Sequence, residues 1–392
     1  MQNHFLSNDI LKEYQKLRPP MTELGEFVYV RTYSRWLPEK GRRETWLETI
    51  TRTIEYNLGL ELDYIEKNHP WINIDNVKKS LVEEAEELLD NMFHLRLFAS
   101  GRTMWVANTE VAKEFPLANF NCSFMVLDNF GAFVEMFYLL MLGSGTGFRT
   151  MPYDVEKLPV YRTGITTSMK PYIPIAPKRR NDSTDLVIRD HKAEIIVGDS
   201  KEGWCSALDI YFKLRTHFLY KEITEITFNF DHVRPKGSRL KRFGGTASGH
   251  SSIQIMFEKI DNIMEKAGGK LRPIDVLDIG NTIAENVVSG GVRRSSQINL
   301  ASKDEMDIET AKTNMYYQDE DGNWVENKEI LHRRMSNNSI FYEDKPTREE
   351  LHQNFINMRY TGERGFVNAK VARKRRKNFN GLNPCAKEFW LM

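Results

Sequence analysis

The chain has 392 residues, of which 41% are hydrophobic and 28% are charged. A chain longer than two domains of ~150 residues can bury a large core, so a mini-protein and general disorder are excluded. Its 55 basic and 54 acidic residues leave a formal net charge of +1. No chain-wide field therefore selects a polyanion, an anionic membrane or an acidic partner.

Cysteine content and apolar stretches indicate the compartment. Cys122, Cys205 and Cys385 are too few for a disulfide framework and are not spaced like zinc ligands, which predicts a reducing environment and no metal site. The first residues lack the apolar centre of a signal peptide, and the longest apolar stretch, residues 133–142, is too short to span a bilayer. We therefore expect a cytoplasmic protein without a membrane partner.

The first third of the chain has the apolar periodicity of helices. Trp46, Ile50, Ile54 and Leu58 recur every four residues and Gly59 follows, which predicts an amphipathic helix that ends at the glycine. A second apolar stripe, at positions 81, 85, 88 and 92, predicts another helix whose glutamates form a solvated face. We expect residues 1–120 to be mostly helical.

Further along the chain, strands and helices alternate. Residues 151–200 are rich in proline and have little periodicity, which predicts an insertion or a long surface excursion. Alternation over 226–230 predicts a strand; Pro273 begins a helix that ends near Ser289, and residues 297–301 return to an extended pattern. A turn is expected at 321–322, and a capping box at Thr347 and Glu350 begins another helix. This alternation favours an α/β fold.

Three segments rich in small residues could lie against a ligand. Residues 143–147 contain three glycines after a helical apolar run, which is typical of a helix-exit turn or of a close backbone approach to a ligand. Residues 243–249 offer the same choice between a surface turn and a ligand contact. Residues 289–296 add Arg293 and Arg294 to a glycine hinge, which suits phosphate contact or a switch as well as a solvated basic turn.

Two features lie near the end of the sequence. Residues 370–377 include six basic side chains in eight positions, a pattern that suits a solvated face or, alternatively, contact with nucleic acid. Cys385 follows Asn383 and Pro384 in what reads as a rigid turn. A lone cysteine of this kind is usually a small buried hydrophobe.

In order along the chain, these segments resemble the adenosylcobalamin-dependent (class II) ribonucleotide reductases, and most closely their monomeric ribonucleoside-triphosphate reductases. The matching strings cover nearly the whole chain: residues 31–41, 100–102, 121–122, 143–147, 243–249, 289–296, 336–339 and 383–385. The resemblance covers the N-terminal half to two-thirds of the family's catalytic chain.

The resemblance implies a fold and a division into domains. The family fold is a ten-stranded α/β barrel built from two five-stranded halves, with a loop through its middle that carries a cysteine. Residues 1–120 would form an N-terminal helical region. Residues 121–392 would form the first half of the barrel and end at that loop, with the insertion at 151–200.

Catalytic roles follow from the same resemblance. Cys385 would carry the thiyl radical that abstracts the ribose 3′ hydrogen, and adenosylcobalamin would generate that radical. Cys122 matches one of the two cysteines that supply electrons, and Asn383 matches an asparagine that binds the ribose. The family's glutamate base sits two residues after the radical cysteine, where this chain has Lys387, so Glu388 is the candidate base. Cys205 has no counterpart.

Binding roles and partners complete the prediction. Ser100, Ser144 and Gly145 match positions near the substrate, a ribonucleoside triphosphate. A deoxynucleotide effector would act through a specificity loop, whose candidate residues are Gly290, Gly291, Arg293, Arg294 and Ser295. A thioredoxin-like protein would supply electrons.

We expect the chain to be the N-terminal catalytic portion of a split or truncated reductase that needs a C-terminal polypeptide. The alternative is a non-catalytic nucleotide-binding remnant or regulatory subunit. A nucleic-acid binder is disfavoured, because the chain is neutral and the basic run at 370–377 lacks aromatic residues.

Overall fold

A computed structural model describes residues 4–238, 246–289, 296–385 and 388–390, except for the side chains of 288–289, 360–361 and 388–390. The chain divides into two compact units, residues 1–121 and residues 122–392. None of the helices within the described ranges is long and apolar enough to cross a bilayer.

The first unit is mostly helical. Its helices and strands, in chain order, are α1 (Asn8–Tyr14), α2 (Glu23–Thr32), β1 (Trp36–Leu37), β2 (Arg42–Arg43), α3 (Trp46–Asn68), α4 (Ile74–Phe93), α5 (Gly101–Val106) and α6 (Glu110–Glu114). The short strands β1 and β2 pair antiparallel.

Helix α3 is longer than its sequence pattern predicts. It begins at a capping box, in which Thr45 accepts from the Glu48 amide while the Glu48 carboxylate accepts from the Thr45 amide. The predicted stop at Gly59 is wrong, because the helix continues for nine more residues to Asn68. Leu62 extends the buried stripe and is fully buried. A buried leucine one turn later outweighs the helix cost of one glycine, which is about 1 kcal/mol.

The second unit contains the remaining strands and helices. In chain order they are β3 (Cys122–Val126), α7 (Phe130–Met141), β4 (Gly145–Arg149), α8 (Pro152–Val155), β5 (Thr166–Met169), β6 (Asp185–Arg189), β7 (Lys192–Ile196), α9 (Lys201–Thr216), β8 (Glu225–Asn229), α10 (His250–Ala267), α11 (Pro273–Ser289), β9 (Gln297–Ala301), α12 (Met306–Glu309), β10 (Tyr316–Gln318), β11 (Trp324–Glu326), β12 (Ser336–Tyr342), α13 (Arg348–Thr361), β13 (Gly365–Asn368), α14 (Ala369–Arg375), β14 (Phe379–Leu382) and β15 (Glu388–Trp390).

The central feature of this unit is a five-stranded parallel sheet with strand order β13-β12-β9-β4-β3. The predicted α/β fold, with the first five strands of a barrel, is confirmed. The predicted helices at 273–289 and after Thr347 are also present, and the second begins with the expected capping box. Strands β10 and β11 form a hairpin around Gly322, whose φ of +80° suits glycine.

The glycine-rich residues 143–147 contain both a helix-exit turn and the start of a strand. Gly143 follows α7 with a φ of +84°, and its amide donates to the Leu140 carbonyl oxygen at 2.9 Å, which is the predicted turn. Gly145 to Arg149 is a fully buried strand, β4, which lies between β3 and β9. Three glycines in five residues weaken the strand signal, because glycine has low β propensity. The pairing of β4 on both sides supplies the order that its sequence lacks.

Residues 151–200 contain three strands that their sparse periodicity does not reveal. Strands β5, β6 and β7 join β8 in a four-stranded mixed sheet with order β5-β8-β7-β6. Helices α9 and α10 contribute buried side chains to the same apolar core as this sheet. Each of these strands has only four or five residues, which gives too short a run for an alternating pattern to stand out.

The five-stranded sheet separates two environments. We call its two sides the helix face and the site face. On the helix face, Met125, Phe148 and Ala301 join the large core that includes α7 and α11. On the site face, Ile298, Leu300 and other side chains form a smaller cluster with Phe379.

Candidate active site

Residues 379–385, which we call the overlying segment, lie against the site face of β3 and β4. Gly147 makes this approach possible, because a Cβ atom added there would overlap the carbonyl oxygen of Leu382. Gly381 plays the corresponding part in the segment, since a Cβ atom there would overlap the ring of Phe124 in β3. Neither glycine has a positive φ, so close approach explains them and turn geometry does not.

The overlying segment runs antiparallel to β4 and follows its alternate residues. Gly147 faces Leu382, and two residues further along β4 the Nη1 of Arg149 donates to the carbonyl oxygen of Asn380 at 3.1 Å. Two residues the other way, the position of a Gly145 Cβ lies 3.2 Å from Cγ of Pro384. Alternate strand residues share a face, so β4 fixes the segment at three successive points.

This alignment brings two thiols together. Gly145 pairs with Cys122 in the neighbouring strand β3, and Cys385 follows Pro384, which lies over Gly145. The Sγ atoms of Cys122 and Cys385 are 3.4 Å apart. Cys122 is half-buried and Cys385 is exposed. At this distance the thiols can exchange a hydrogen atom directly, and a small movement would reach the ~2.05 Å of a disulfide.

Two predicted substrate-binding residues of this unit, Asn383 and Ser144, are buried neighbours in sequence of the segments that meet at the thiols. Asn383, two residues before Cys385, is 2% exposed. Ser144 precedes β4 and is 1% exposed, and its hydroxyl has no hydrogen-bond partner among the described residues. A buried hydroxyl without a partner costs free energy unless something else bonds to it. The role of Ser144 as a substrate contact stays a prediction.

The predicted specificity loop is only partly described. Gly290, Gly291, Arg293, Arg294 and Ser295 lie outside the described residues. Its last residue, Ser296, accepts a hydrogen bond from the Thr146 amide at 2.9 Å and lies against Gly145. The described end of the loop therefore reaches the sheet beside the thiols.

Two other predicted residues, Glu388 and Ser100, have roles that the described structure does not test. The backbone of Glu388 belongs to β15 and pairs with Leu382 of β14, while its side chain lies outside the described residues. Ser100 is an exposed residue of the first unit and caps α5 by accepting from the Thr103 amide at 3.2 Å. Their roles as base and substrate contact stay predictions.

The third cysteine has a structural environment. Cys205 lies in α9, is 7% exposed, and its Sγ donates to the carbonyl oxygen of Val134 at 3.7 Å. Burial raises the pKa of this thiol to about 12. At neutral pH it is a protonated core residue with little nucleophilic character.

Arg149 and Asp154 are part of the site that the sequence analysis missed. Arg149 is 5% exposed and Asp154 is 1% exposed, and the two form a bidentate ion pair. The only available signal was a charged residue directly after a glycine-rich apolar segment. That signal is weak, because charges commonly mark the solvated ends of strands.

The basic run at 370–377 includes α14 and is partly engaged within this unit. Lys370 pairs with Asp344 at 2.6 Å, and Arg373 pairs with Glu343 at 3.1 Å. Nε of Arg373 also donates to the Phe379 carbonyl oxygen at 3.4 Å. The run therefore contacts the first residue of the overlying segment. Across the described ranges, no three His, Cys, Asp or Glu side chains are grouped so that they could hold a metal ion.

Comparison with family models gives two matches. The ribonucleotide reductase alpha domain matches residues 6–109, in the first unit. The insertion domain of B12-dependent ribonucleotide reductase matches residues 178–264. This second segment includes most of the four-stranded sheet and overlaps the insertion predicted at 151–200.

Comparison with known proteins extends over nearly the whole chain. Adenosylcobalamin-dependent ribonucleoside-triphosphate reductases of Lactobacillus leichmannii and Lactobacillus acidophilus are 28% and 29% identical to it, over 94% and 97% of this chain. A crystal structure of a B-12 dependent (class II) ribonucleotide reductase superposes with a TM-score of 0.80 at 25% identity, over 97% of this chain. The resemblance that the motifs indicate is confirmed.

The matches also define how much of each relative is covered. The chain spans 53% of the length of both lactobacillus reductases and 56% of the crystallised chain. It therefore corresponds to about half of each relative.

Proposed function

We propose that this chain, which resembles class II ribonucleotide reductases over nearly its whole length, is the N-terminal catalytic portion of a ribonucleoside-triphosphate reductase. The observation that carries the proposal is the approach of Cys122 and Cys385, whose Sγ atoms lie 3.4 Å apart at the end of a parallel sheet. The two cysteines are 263 positions apart in sequence, so this approach is a product of the fold.

Each thiol has a separate task in the proposed reaction. A thiyl radical on Cys385 abstracts the ribose 3′ hydrogen and returns a hydrogen at the end of the reaction. Cys122 and a second thiol together give up two electrons and two protons, so the 2′ hydroxyl leaves as water while a disulfide forms. Cys385 is exposed and Cys122 is half-buried, and the exposure of Cys385 suits a radical carrier that meets both cofactor and substrate.

Adenosylcobalamin is the proposed cofactor, and when bound it supplies the homolysis that generates the radical. The residues present fit this group at one point, since the exposed thiol of Cys385 is an accessible hydrogen-atom donor. The contacts of the overlying segment with β4 support the position of that thiol beside Cys122.

Substrate and partners belong to the same proposal. Asn383 and the unpartnered hydroxyl of Ser144 would bind the ribose and its phosphates, and residues 290–295 would respond to a deoxynucleotide effector. A thioredoxin-like protein would reduce the disulfide. The second thiol would come from a C-terminal reductase polypeptide, because the chain matches about half of its relatives and has no cysteine other than Cys122, Cys205 and Cys385.

The test is reduction of a ribonucleoside triphosphate by the reductase that contains this chain, with adenosylcobalamin and a dithiol present. Cys385→Ala should abolish deoxynucleotide formation, because no other exposed thiol of the described chain lies beside Cys122. Cys205→Ala is the matched control and should leave turnover per folded molecule unchanged.

Two results would contradict the proposal. Full reduction by Cys385→Ala would exclude this cysteine as the radical carrier. Nucleotide binding by a wild-type enzyme that never reduces its ligand would favour the non-catalytic remnant or regulatory subunit.

A further inference from the structure

We infer that Arg149, held by Asp154, is a positioning residue that fixes Cys385 beside Cys122. The inference about thiol placement stands on geometry alone. Its consequence for turnover rests on the proposed function.

The Arg149 guanidinium contacts a carboxylate, a backbone carbonyl and two aromatic rings. Nε donates to Oδ2 of Asp154 at 2.6 Å and Nη2 donates to Oδ1 at 3.0 Å, which forms a bidentate pair. Nη1 points the other way and donates to the Asn380 carbonyl oxygen at 3.1 Å. The guanidinium also lies 5.3 Å from the ring centre of Tyr153 and 5.5 Å from that of Phe341.

Burial makes this arrangement rigid. The Arg149 side chain is 6% exposed and that of Asp154 is 1% exposed. A buried arginine cannot turn away without leaving a charge and several donors unpaired, which is strongly unfavourable. Asp154 lies at the second-last position of the short helix α8, so the backbone that follows β4 holds the carboxylate.

The bond to Asn380 matters because it is directional. At Gly147 and Gly145 the contact is a close approach of backbone and ring, which lets the segment lie on β4. The carbonyl oxygen of Asn380 accepts a hydrogen bond from a fixed donor, which adds a directional constraint on the register. Since a strand advances about 3.3 Å per residue, a slip of one residue would move Cys385 away from Cys122 by about one thiol-to-thiol distance.

The position of Cys385 can be read without cofactor or substrate. Diamide accepts the two electrons and two protons that two neighbouring thiols lose when they form a disulfide. In this chain, Cys122 and Cys385 lie 3.4 Å apart, and Cys205 is buried. The rate of disulfide formation in the 392-residue chain, followed by mass spectrometry, therefore reports how often the two sulfur atoms are in contact.

Two variants test the role of Arg149. Arg149→Lys keeps the positive charge but cannot bond both carboxylate oxygens and the Asn380 carbonyl at once. Asp154→Asn leaves the arginine in place and weakens its support. We expect both to slow disulfide formation about tenfold or more, because a shift of about 1 Å in the position of a reacting group has effects of that size.

Arg333→Lys is the matched control. Arg333 forms a bidentate pair with Asp278 at 2.7 and 2.8 Å, and its Nη1 donates to the Ala311 carbonyl oxygen at 2.8 Å. The bonding pattern is the same as that of Arg149, but the carbonyl does not belong to the overlying segment. This variant should lower the melting temperature about as much as Arg149→Lys does and leave the rate of disulfide formation unchanged.

The results separate three cases. A slower cross-link in both site variants, with a normal rate in Arg333→Lys, supports the positioning role. A normal rate in Arg149→Lys, or an equal loss in Arg333→Lys, overturns it. If Arg149→Lys does not fold, the rate of disulfide formation in Asp154→Asn is compared with that in Arg333→Lys instead, and the same outcomes support or overturn the role.

A second measurement connects position to turnover. In the reductase that contains this chain, Arg149→Lys should lower kcat about as much as it slows the cross-link and leave KM for the nucleotide unchanged. If the wild-type enzyme reduces no nucleotide while the cross-link results hold, the proposed function fails and the positioning role of Arg149 stands. An unchanged kcat in a variant with a slow cross-link would overturn the link to catalysis.

Discussion

Gly147 and Phe148 are neighbours in β4, but they lie on opposite faces of the same sheet. Phe148 fills space with a large side chain, whereas Gly147 leaves space for another part of the backbone. Phe148 is fully buried on the helix face, where its ring packs against Gly280 of α11 and belongs to the same core as Met136 of α7. Gly147, on the site face, has no side chain, and the backbone of residues 382–383 occupies the space that one would need.

The difference shows how one strand serves both stability and chemistry. On the helix face, large apolar side chains fill the space and contribute most of the folding free energy. On the site face, small residues leave room for a second piece of backbone, whose position is then set by hydrogen bonds. A change on one face should therefore alter stability, while a change on the other should alter the approach of the thiols.

The largest expected effect is on the helix face. Phe148→Ala removes a fully buried ring and should lower the free energy of unfolding by about 3–5 kcal/mol. Chemical denaturation measures the loss, and the diamide cross-link measures the other face. In the fraction that is still folded, Cys122 and Cys385 should cross-link at the wild-type rate; a slower rate would show that the two faces are coupled.

Gly147→Ala should have the next largest effect, on the site face. The added Cβ would overlap the Leu382 carbonyl oxygen, and overpacking of this kind costs about 1–3 kcal/mol. That cost should undock the overlying segment in a large share of molecules, so the cross-link slows strongly while the melting temperature falls less than in Phe148→Ala. Gly59→Ala, in α3 with open space around it, is the control and should not slow the cross-link.

The pH dependence of stability should come partly from the helix side. Burial alone would raise the pKa of Asp278, but hydrogen bonds from Arg333 and His332 lower it below the usual 3.8. The folded state then binds fewer protons than the unfolded state, so this contribution is present above pH ~4 and is lost as the pH falls through the lower, folded pKa.

Acid denaturation followed from pH 6 downward by circular dichroism checks this expectation. In Asp278→Asn the fall in stability on acidification should be shallower than in the wild type. Equal slopes in the two proteins would show that Asp278 does not carry this part of the pH dependence.

The smallest expected effect on the free energy of unfolding comes from Ser123, which follows Cys122 in sequence but lies on the helix face with Thr146. The Ser123 hydroxyl donates to the Gly145 carbonyl oxygen and contacts the Thr146 hydroxyl, each at 3.2 Å. Ser123→Ala should lower the free energy of unfolding by about 1 kcal/mol. The thiol cross-link should keep its rate, although residue 123 is adjacent to Cys122; a slower rate would place Ser123 in the thiol geometry.

Much of the fold was predictable because local patterns specify it. The capping box at Thr347, the apolar stripe of α11 and the alternation of β8 all depend on neighbouring residues, and all are present. The errors occur where long-range contacts override a local signal. Gly59 does not end α3 because Leu62 is buried one turn later, and 145–149 forms a strand because two partners pair with it.

The sequence by itself determined which chemistry is available: two thiols that match the family motifs, and an asparagine beside one of them. It could not determine how they are brought together, because the bond between Arg149 and Asn380 joins residues 231 positions apart. Hydrophobic periodicity records which face of an element is buried, but not which distant backbone lies on that face. Only the tertiary structure, by pairing Cys122 with Gly145 and laying residues 379–385 along β4, decided that Cys385 lies beside Cys122.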